Sequence, residues 1–322
     1  MTRAALIGDI GGTNARFALV TPETFDLRDI QTLPCVDYPH LVDAVRDYLE
    51  RVGATGANAP VEACLAFACP VHDDIVSMTN NHWRFSKREV KQSLGLDLFK
   101  VINDFTAQAL GVPHIGDEER IQVKPGHAEQ NRARLIMGPG TGLGVAGLFP
   151  GSEAWIPLTT EGGHVTFAPT DEQELALAGY FISRYGRVSV ERLLCGQGLL
   201  DLYRAHAELH RAAPRYNTPA EVTGAARAGD SVSVETLKRF LKIMGDVCGD
   251  AALSLGARGG VYLCGGIMPR LIDWLQHSRF QEAFINKGRM REYNDSIPIW
   301  VVTAPWTGLL GAAEALHNKE VE

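Results

Sequence analysis

The sequence predicts an α/β protein of two domains. Patterns of buried strands and amphipathic helices alternate along the chain. Its 322 residues suit about two domains. A glycine-rich strand–turn–strand near the start is echoed near the middle.

The first element is the stretch from Ala5 to Val20. Ala5–Ile7 reads as a short buried strand and Arg16–Val20 as a second, with Gly8, Asp9, Ile10, Gly11, Gly12, Thr13 and Asn14 as the turn between them. Paired glycines permit φ > 0 and close backbone approach, so several N–H groups can point at one phosphate. Asp9 cannot bind phosphate itself, but it can hold a bridging cation directly or through water. An ordinary hairpin carrying an Asp would look the same locally.

Residues 40–52 follow, with Leu41, Val45, Tyr48 and Val52 at helical spacing and Val42 and Leu49 widening the stripe. After a loop over 53–60, Val61–Ala68 is a near-continuous apolar run, as in a strand buried on both faces. Ser86 opens S-K-R-E, a capping-box pattern with Glu89, and Gly95 ends that helix. Leu98–Ile102 is the next buried strand, followed at once by Asn103, Asp104 and a helical segment from Phe105.

From about residue 115 the opening theme returns. Leu135–Met137 is a strand, Gly138, Pro139, Gly140, Thr141, Gly142, Leu143 and Gly144 form the turn, and Val145–Phe149 is the returning strand. Gly12-Thr13 then falls on Gly140-Thr141. Two related domains, each presenting a glycine turn, would suit one polyanion gripped from both sides. Thr170 to Glu174 opens a helix with Leu175, Ala178, Ile182 and Tyr185 on one face. A long helix over about 234–256 has the stripe Leu237, Phe240, Leu241, Met244, Val247, Cys248, Ala251 and Leu255, with Gly245, Gly249 and Ala252 allowing close packing. Gly259-Gly260 turns into strand Val261–Cys264, which ends in Gly265-Gly266 before another helix. Ile299–Val302 is the last strand, and Gly308–His317 a small-residue helix.

Composition excludes several classes. A net charge of −7 disfavours nucleic-acid binding through a basic surface. No apolar run approaches the roughly 20 residues of a membrane span, and no apolar leader precedes Asp9, so the expected place is the cytoplasm. The six cysteines include no C-x-x-C pair and read as reduced buried thiols. His206 and His210 lie four apart on a helix, where a solvated face is favoured over a metal site.

Three glycine turns follow strands, at Gly11-Gly12, Gly138–Gly144 and Gly265-Gly266, and ligands of open α/β sheets sit at carboxyl strand ends. Gly142, Gly144 and Gly147 spell G-x-G-x-x-G, but a strand rather than a helix follows, so this is no dinucleotide fingerprint. No Walker A sequence occurs. Asp104, entering a helix from a strand end, can accept a proton from a substrate hydroxyl, or it can be an N-cap; Asn103 shares that ambiguity. Glu161-Gly162-Gly163-His164 offers two orientable polar groups suited to sugar hydroxyls, or a loop with one satisfied histidine. Glu191 by itself reads as a solvated helix residue.

Taken together, D-I-G-G-T-N-A-R, I-N-D-F-T-A, G-P-G-T-G-L-G-V-A, E-G-G-H-V-x-F-A-P, C-G-G-I-M-P-R and the terminal G-L-L-G-A-A resemble the bacterial glucokinases, of the actin, heat-shock ATPase and hexokinase superfamily. The six blocks span residues 5 to about 316 in the family's order. The resemblance implies a two-domain actin-like ATPase fold with mixed sheets flanked by helices. One domain would be 1–114 plus 306–322, the other 115–305. It implies ATP and Mg²⁺ dependence, glucose as acceptor, and a homodimer. It puts the base at Asp104, sugar contacts at Asn103, Asp104, Glu161, His164 and Glu191, and phosphate contacts at Gly8, Asp9, Ile10, Gly11, Gly12, Thr13, Gly138, Gly140, Thr141 and Gly142. Gly265 and Gly266 would lie near the adenosine, and Asp9 would hold Mg²⁺ through water.

Two departures stand out. Cys195 to Gly198 reads C-G-Q-G where the family tends to S-G-P-G, and Pro139 replaces a small residue in the second turn. A related family of sugar kinases and repressors carries a cysteine-rich zinc motif soon after its G-H, yet no cysteine lies between His164 and Cys195. The rivals are a sugar-sensing regulator, which needs a DNA-binding extension, and a filament-forming or chaperone-like ATPase, which has no use for Glu161 and His164.

Overall fold

The structure is a computed structural model and describes residues 4–321; residues 1–3 and 322 of the expected first domain lie outside it. In chain order the first strands and helices are β1 (Ala5–Ile10), β2 (Asn14–Thr21), β3 (Asp26–Pro34), α1 (Leu41–Arg51), β4 (Glu62–Phe67), β5 (Ile75–Ser77), β6 (Arg84–Ser86), α2 (Lys87–Leu94), β7 (Leu98–Asn103) and α3 (Asp104–Gly111). Next come β8 (Arg120–Lys124), β9 (Arg134–Pro139), β10 (Leu143–Pro150), β11 (Trp155–Thr159), α4 (Glu172–Tyr185), α5 (Gly196–Leu209), α6 (Pro219–Arg227) and α7 (Ser231–Leu255). The chain closes with β12 (Val261–Leu263), α8 (Ile272–Leu275), α9 (Phe280–Ile285), α10 (Arg291–Asp295), β13 (Ile299–Val302) and α11 (Thr307–His317). It divides into two compact units. The first takes the chain up to Gly116, the segment Leu148–Thr159 and everything from Ala304; the second takes Asp117–Gly147 and Thr160–Thr303.

In the first unit the sheet order is β3-β2-β1-β4-β7. β1 and β2 form an antiparallel hairpin, while β1, β4 and β7 run parallel. Ile10 lies opposite Phe67, and Phe67 opposite Asn103, so three parallel strands end level. That register brings the first glycine turn and the Asn103-Asp104 pair to one edge. Phe17, Tyr48, Phe67 and Trp83 fill the core, and burying such rings contributes roughly 2–3 kcal/mol each. The α2 cap is half the expected box: Ser86 Oγ accepts the Glu89 N–H, but Asp74 takes the Ser86 hydroxyl and the Arg88 N–H. Gly95, at φ 66, closes α2. Two glycines let α3 and α11 touch backbone to backbone, since a Cβ on Gly111 would meet Thr307 O and one on Gly311 would meet Ala107 O. The β10–β11 arm belongs here because Asn318 Nδ2 donates to Trp155 O and Thr106 shares a hydroxyl hydrogen bond with Thr159.

The other sheet has the order β11-β10-β9-β12-β13-β8, of which β11 and the end of β10 from Leu148 group with the first unit and the rest with the second. β9, β12 and β13 are parallel, with Met137, Leu263 and Val301 in one row, and β8 closes the edge antiparallel to β13. The stripe on α7 is buried as its spacing requires, through Leu237, Phe240, Leu241, Met244 and Cys248. Gly249 admits α9: a Cβ there would stand 2.6 Å from Phe284 O.

α4 turns inwards a face other than the Leu175 row. Glu174, Leu177, Ala178 and Phe181 are buried, while Leu175, Ile182 and Tyr185 are 62%, 54% and 40% exposed. The row that packs into the core is Leu177, Ala178 and Phe181, with Glu174 on the same side. Glu174 is pulled fully inside by Arg239 at 2.9 Å and Lys242 at 2.7 Å, and Lys242 also meets Asp246 at 2.8 Å. A buried charge persists only when paired, and these partners let Glu174 sit on the inward row that Leu177 and Phe181 define. Among the described residues no helix is long and apolar enough to cross a membrane.

Candidate active site

At the level ends of β1, β4 and β7, the first unit gathers carboxylates and glycines. Gly8, Asp9 and Ile10 belong to β1 and not to the turn, which is only Gly11, Gly12 and Thr13. Neither Gly11 nor Gly12 has positive φ, so of the two freedoms that paired glycines offer this turn does not use the left-handed one. The glycines serve close approach instead. A Cβ on Gly12 would stand 2.8 Å from Asn80 Cβ and 2.9 Å from Asn80 O, and one on Gly8 would stand 2.7 Å from the buried Leu65 side chain. Gly11 N–H closes the turn on Asn14 O at 2.9 Å, and Thr13 O takes the Cys35 N–H. Thr13 is the exposed residue of the three.

Asn103 and Asp104 stand together at the start of α3. Asn103 is the N-cap of α3, its Oδ1 accepting the N–H of Phe105 and of Thr106. Asp104 is the first helical residue, with Oδ1 accepting the Phe105 N–H at 2.9 Å. Burial, and then the charge of Asp9, push the Asp104 carboxyl up to about 6, against those N–H groups. Burial also raises Asp9, opposed by Arg16, whose Nη1 lies 3.5 Å from Asp9 Oδ2. Arg16 escaped the sequence reading, yet a hairpin register would have found it, for it is the cross-strand partner of Asp9. α11 seals this corner: a Cβ on Gly308 would stand 3.2 Å from Asp9 Cγ.

The second unit has its own edge. β9 carries Gly138 and Pro139, so the second turn is only Gly140, Thr141 and Gly142, with Leu143 and Gly144 already in β10. A strand directly after the glycines bears out the rejection of the dinucleotide fingerprint. Gly138 is a packing glycine, since a Cβ there would strike Cys264 O, just past the end of β12. Gly265 has φ +83 and lies against Pro139 O, so the second and third glycine turns adjoin. Gly265-Gly266 lead into a tight single turn over 268–271 and the four-residue α8, not directly into the regular helix expected. Gly140 O accepts the N–H of Gly196, the first residue of α5. The C-G-Q-G segment is the start of that helix. Cys195 Sγ caps the Gly198 N–H, and Gln197 is anchored on Asp201 at 2.9 Å.

Glu161, His164 and Glu191 come together in this unit. His164 Nε2 lies 3.8 Å from Glu161 Oε2, and its Nδ1 lies 3.8 Å from Glu191 Oε1. Glu161 and His164 are well exposed, so their polar atoms remain available. Gly163 is buried, and a Cβ on it would strike Leu143 O. Glu191 is half-buried in an irregular turn, not on a solvated helix, and its Oε2 accepts the Leu143 N–H at 2.9 Å. Arg187 is a further residue the sequence did not point to. Its Nη2 donates to His164 O at 2.6 Å and steadies the histidine loop.

Among the described residues, no three His, Cys, Asp or Glu side chains group so as to hold a metal by themselves. Asp9 nevertheless fits Mg²⁺, which keeps several waters and takes few protein oxygens; its carboxylate shares a buried corner with a second carboxylate, where a cation would relieve the repulsion. His206 is buried rather than solvated, with Nδ1 3.0 Å from Thr236 Oγ1, and burial pushes its pKa down to about 4. His210 pairs with Glu235 at 2.7 Å.

The family model described as Glucokinase matches residues 6–319. A glucokinase of Chromohalobacter salexigens is 71% identical over 100% of both chains, and one of Hahella chejuensis is 56% identical over 98% of both. Among solved structures, the glucokinase of an Antarctic psychrotroph superposes with a TM-score of 0.90 at 37% identity, covering 99% of this chain and 100% of the other. The fold is the actin-like ATPase fold of these sugar kinases.

Proposed function

The chain belongs to the glucokinase family and phosphorylates glucose with ATP, and from that premise we propose how its residues divide the work. The products are glucose 6-phosphate and ADP, the entry to glycolysis. The proposal is carried by one observation: Asn103 caps α3, leaving Asp104 as a buried carboxylate with a pKa of about 6 at the strand ends. Such a group is ionised at neutral pH, yet basic enough to take a proton.

Asp104 accepts the proton of the 6-hydroxyl as that oxygen attacks the γ-phosphorus. Asn103 positions the same end of the sugar. Glu161, His164 and Glu191 receive the other hydroxyls, acceptors and donor set at fixed angles by the Gly162-Gly163 turn. The transition state of phosphoryl transfer is loose, so catalysis is mostly positioning and charge neutralisation. The N–H groups of Gly12 and Thr13, and those of Thr141 and Gly142, bind the phosphates, while the N–H groups of Gly11 and Gly140 close the two turns that present them; Gly265 and Gly266 flank the adenosine. Asp9 would hold Mg²⁺, through water, and the ion when bound offsets the charge of the β- and γ-phosphates.

The protein works as a homodimer in the cytoplasm on this reading. The exposed Leu175, Ile182 and Tyr185 on α4 supply an apolar face for a partner copy. Six free cysteines suit a reducing compartment. A coupled assay for ADP, run with and without glucose, tests the function. ADP release that ignores glucose would overturn it in favour of a plain ATPase.

A further inference from the structure

We infer that Glu191 is a positioning residue for the second phosphate turn as well as a sugar contact, so that one carboxylate links sugar occupancy to nucleotide affinity. The sugar half of this statement rests on the function proposed above; the turn half stands on geometry within the second unit alone.

The two oxygens of Glu191 face two different parts. Oε1 lies 3.8 Å from His164 Nδ1, on the sugar side. Oε2 accepts the N–H of Leu143 at 2.9 Å, and Leu143 is the residue directly after the turn Gly140–Thr141–Gly142. There is no slack on that side, because a Cβ on Gly142 would land on Glu191 Oε2. The backbone of Glu191 is pinned too, its N–H donating to Gly163 O at 2.9 Å, and Gly163 packs against Leu143.

The turn is therefore tied at both ends. Gly196 N–H holds Gly140 O at 2.9 Å, and Gly140 N–H reaches Gly142 O at 2.7 Å. Glu191 supplies a charge-assisted tie, about twice as strong as a neutral one. A sugar hydroxyl donating to Oε1 fixes the plane of the carboxylate, and a fixed plane fixes Oε2 and the strand start it holds. The turn then presents its N–H groups in one arrangement, and less ordering remains when nucleotide binds. Linkage makes the effect reciprocal.

A residue that only contacts sugar has no influence on nucleotide affinity when sugar is absent. The test is calorimetric titration of the full chain with a non-hydrolysable ATP analogue and Mg²⁺, without glucose. Glu191→Ala is expected to weaken the analogue by about tenfold or more, the scale of one hydrogen bond to a charged group. Glu191→Gln keeps an oxygen that can accept the Leu143 N–H and should stay within about threefold of the unmodified protein. Unchanged affinity in Glu191→Ala overturns the inference. Should that variant not fold, Glu191→Asp replaces it: one methylene shorter, it loses the Leu143 tie, and analogue binding equal to that of the unmodified protein is the overturning result. Glucose titrations of the same proteins judge the sugar role separately. Normal glucose binding by Glu191→Ala would remove Glu191 from the sugar site without touching the nucleotide result.

Discussion

Asp9 and Asp104 share one buried corner at the ends of β1 and β7, and the charge on Asp9 joins burial in lifting Asp104 to about 6. Asp104 must be ionised to act as a base, so kcat/KM should fall about tenfold for each pH step of one below 6, with little change above it. Asp9→Asn removes the like charge and should move this limb to lower pH. On the proposed role of Asp9 that variant also loses Mg²⁺, so the limb is read from the shape of the profile, not its height. A limb that stays in place when Asp9 is replaced would show that another group carries it.

Asp104→Asn keeps the size of the side chain and an oxygen for the Phe105 N–H, but it cannot take a proton. kcat should drop by roughly 10²–10⁴ while glucose still binds in calorimetry. The same variant carries a stability signature. A carboxyl whose pKa is raised by folding costs stability where it is ionised in the folded state, above about 6, and costs nothing where it is protonated in both states, below its unfolded value near 4. Asp104→Asn should therefore be more stable than the unmodified protein at pH 7–8 by about 1–3 kcal/mol, with the gain fading towards pH 4. Activity within about threefold of the unmodified protein would make Asp104 a helix residue only.

The α3–α11 contact is a second point of sensitivity. Gly311 lies against Ala107 O and Gly111 against Thr307 O, backbone on backbone. Neither neighbour can swing aside as a side chain would. Gly311→Ala should destabilise the fold by about 2–3 kcal/mol or more, by overpacking, despite the better helix propensity of alanine. Thermal unfolding measures this directly, and a variant with an unchanged midpoint would mean that the helices part without cost.

Much of the geometry of the candidate site could be read from residue types and spacing. Strand ends followed by glycines located both turns, and the small residues on α7 anticipated its contact with α9. What could not be read were facts of register and burial. Whether Gly8 and Gly138 lie in a turn or in a strand depends on what stands beside them, Leu65 in one case and Cys264 in the other. The pairing of Arg16 with Asp9 needs the hairpin register. The grouping of Leu148–Thr159 with the first unit depends on long-range bonds from Asn318 and Thr106. The face that α4 buries could not be read because two apolar rows compete on it, Leu175–Ala178–Ile182 and Leu177–Ala178–Phe181, and only the contacts of the folded chain decide between them.

That choice of face leads to the last prediction. α4 buries Leu177, Ala178 and Phe181 and leaves Leu175, Ile182 and Tyr185 facing outwards, although all three are large and apolar or aromatic. Scattered exposed leucines are common, but three on one face of one helix make a patch, and patches of this kind mark association surfaces. If two copies meet there, a charge placed on the face is buried against its own symmetry mate, which costs several kcal/mol at a two-fold interface. Leu175→Glu with Ile182→Glu should then shift the protein from dimer to monomer in sedimentation or light scattering, at micromolar concentration. The fold itself should hold, since neither side chain contributes to the core, and thermal unfolding at high dilution checks that point. A protein whose mass in solution is the same with and without the two substitutions would place any dimer contact elsewhere and leave the apolar face of α4 without this role.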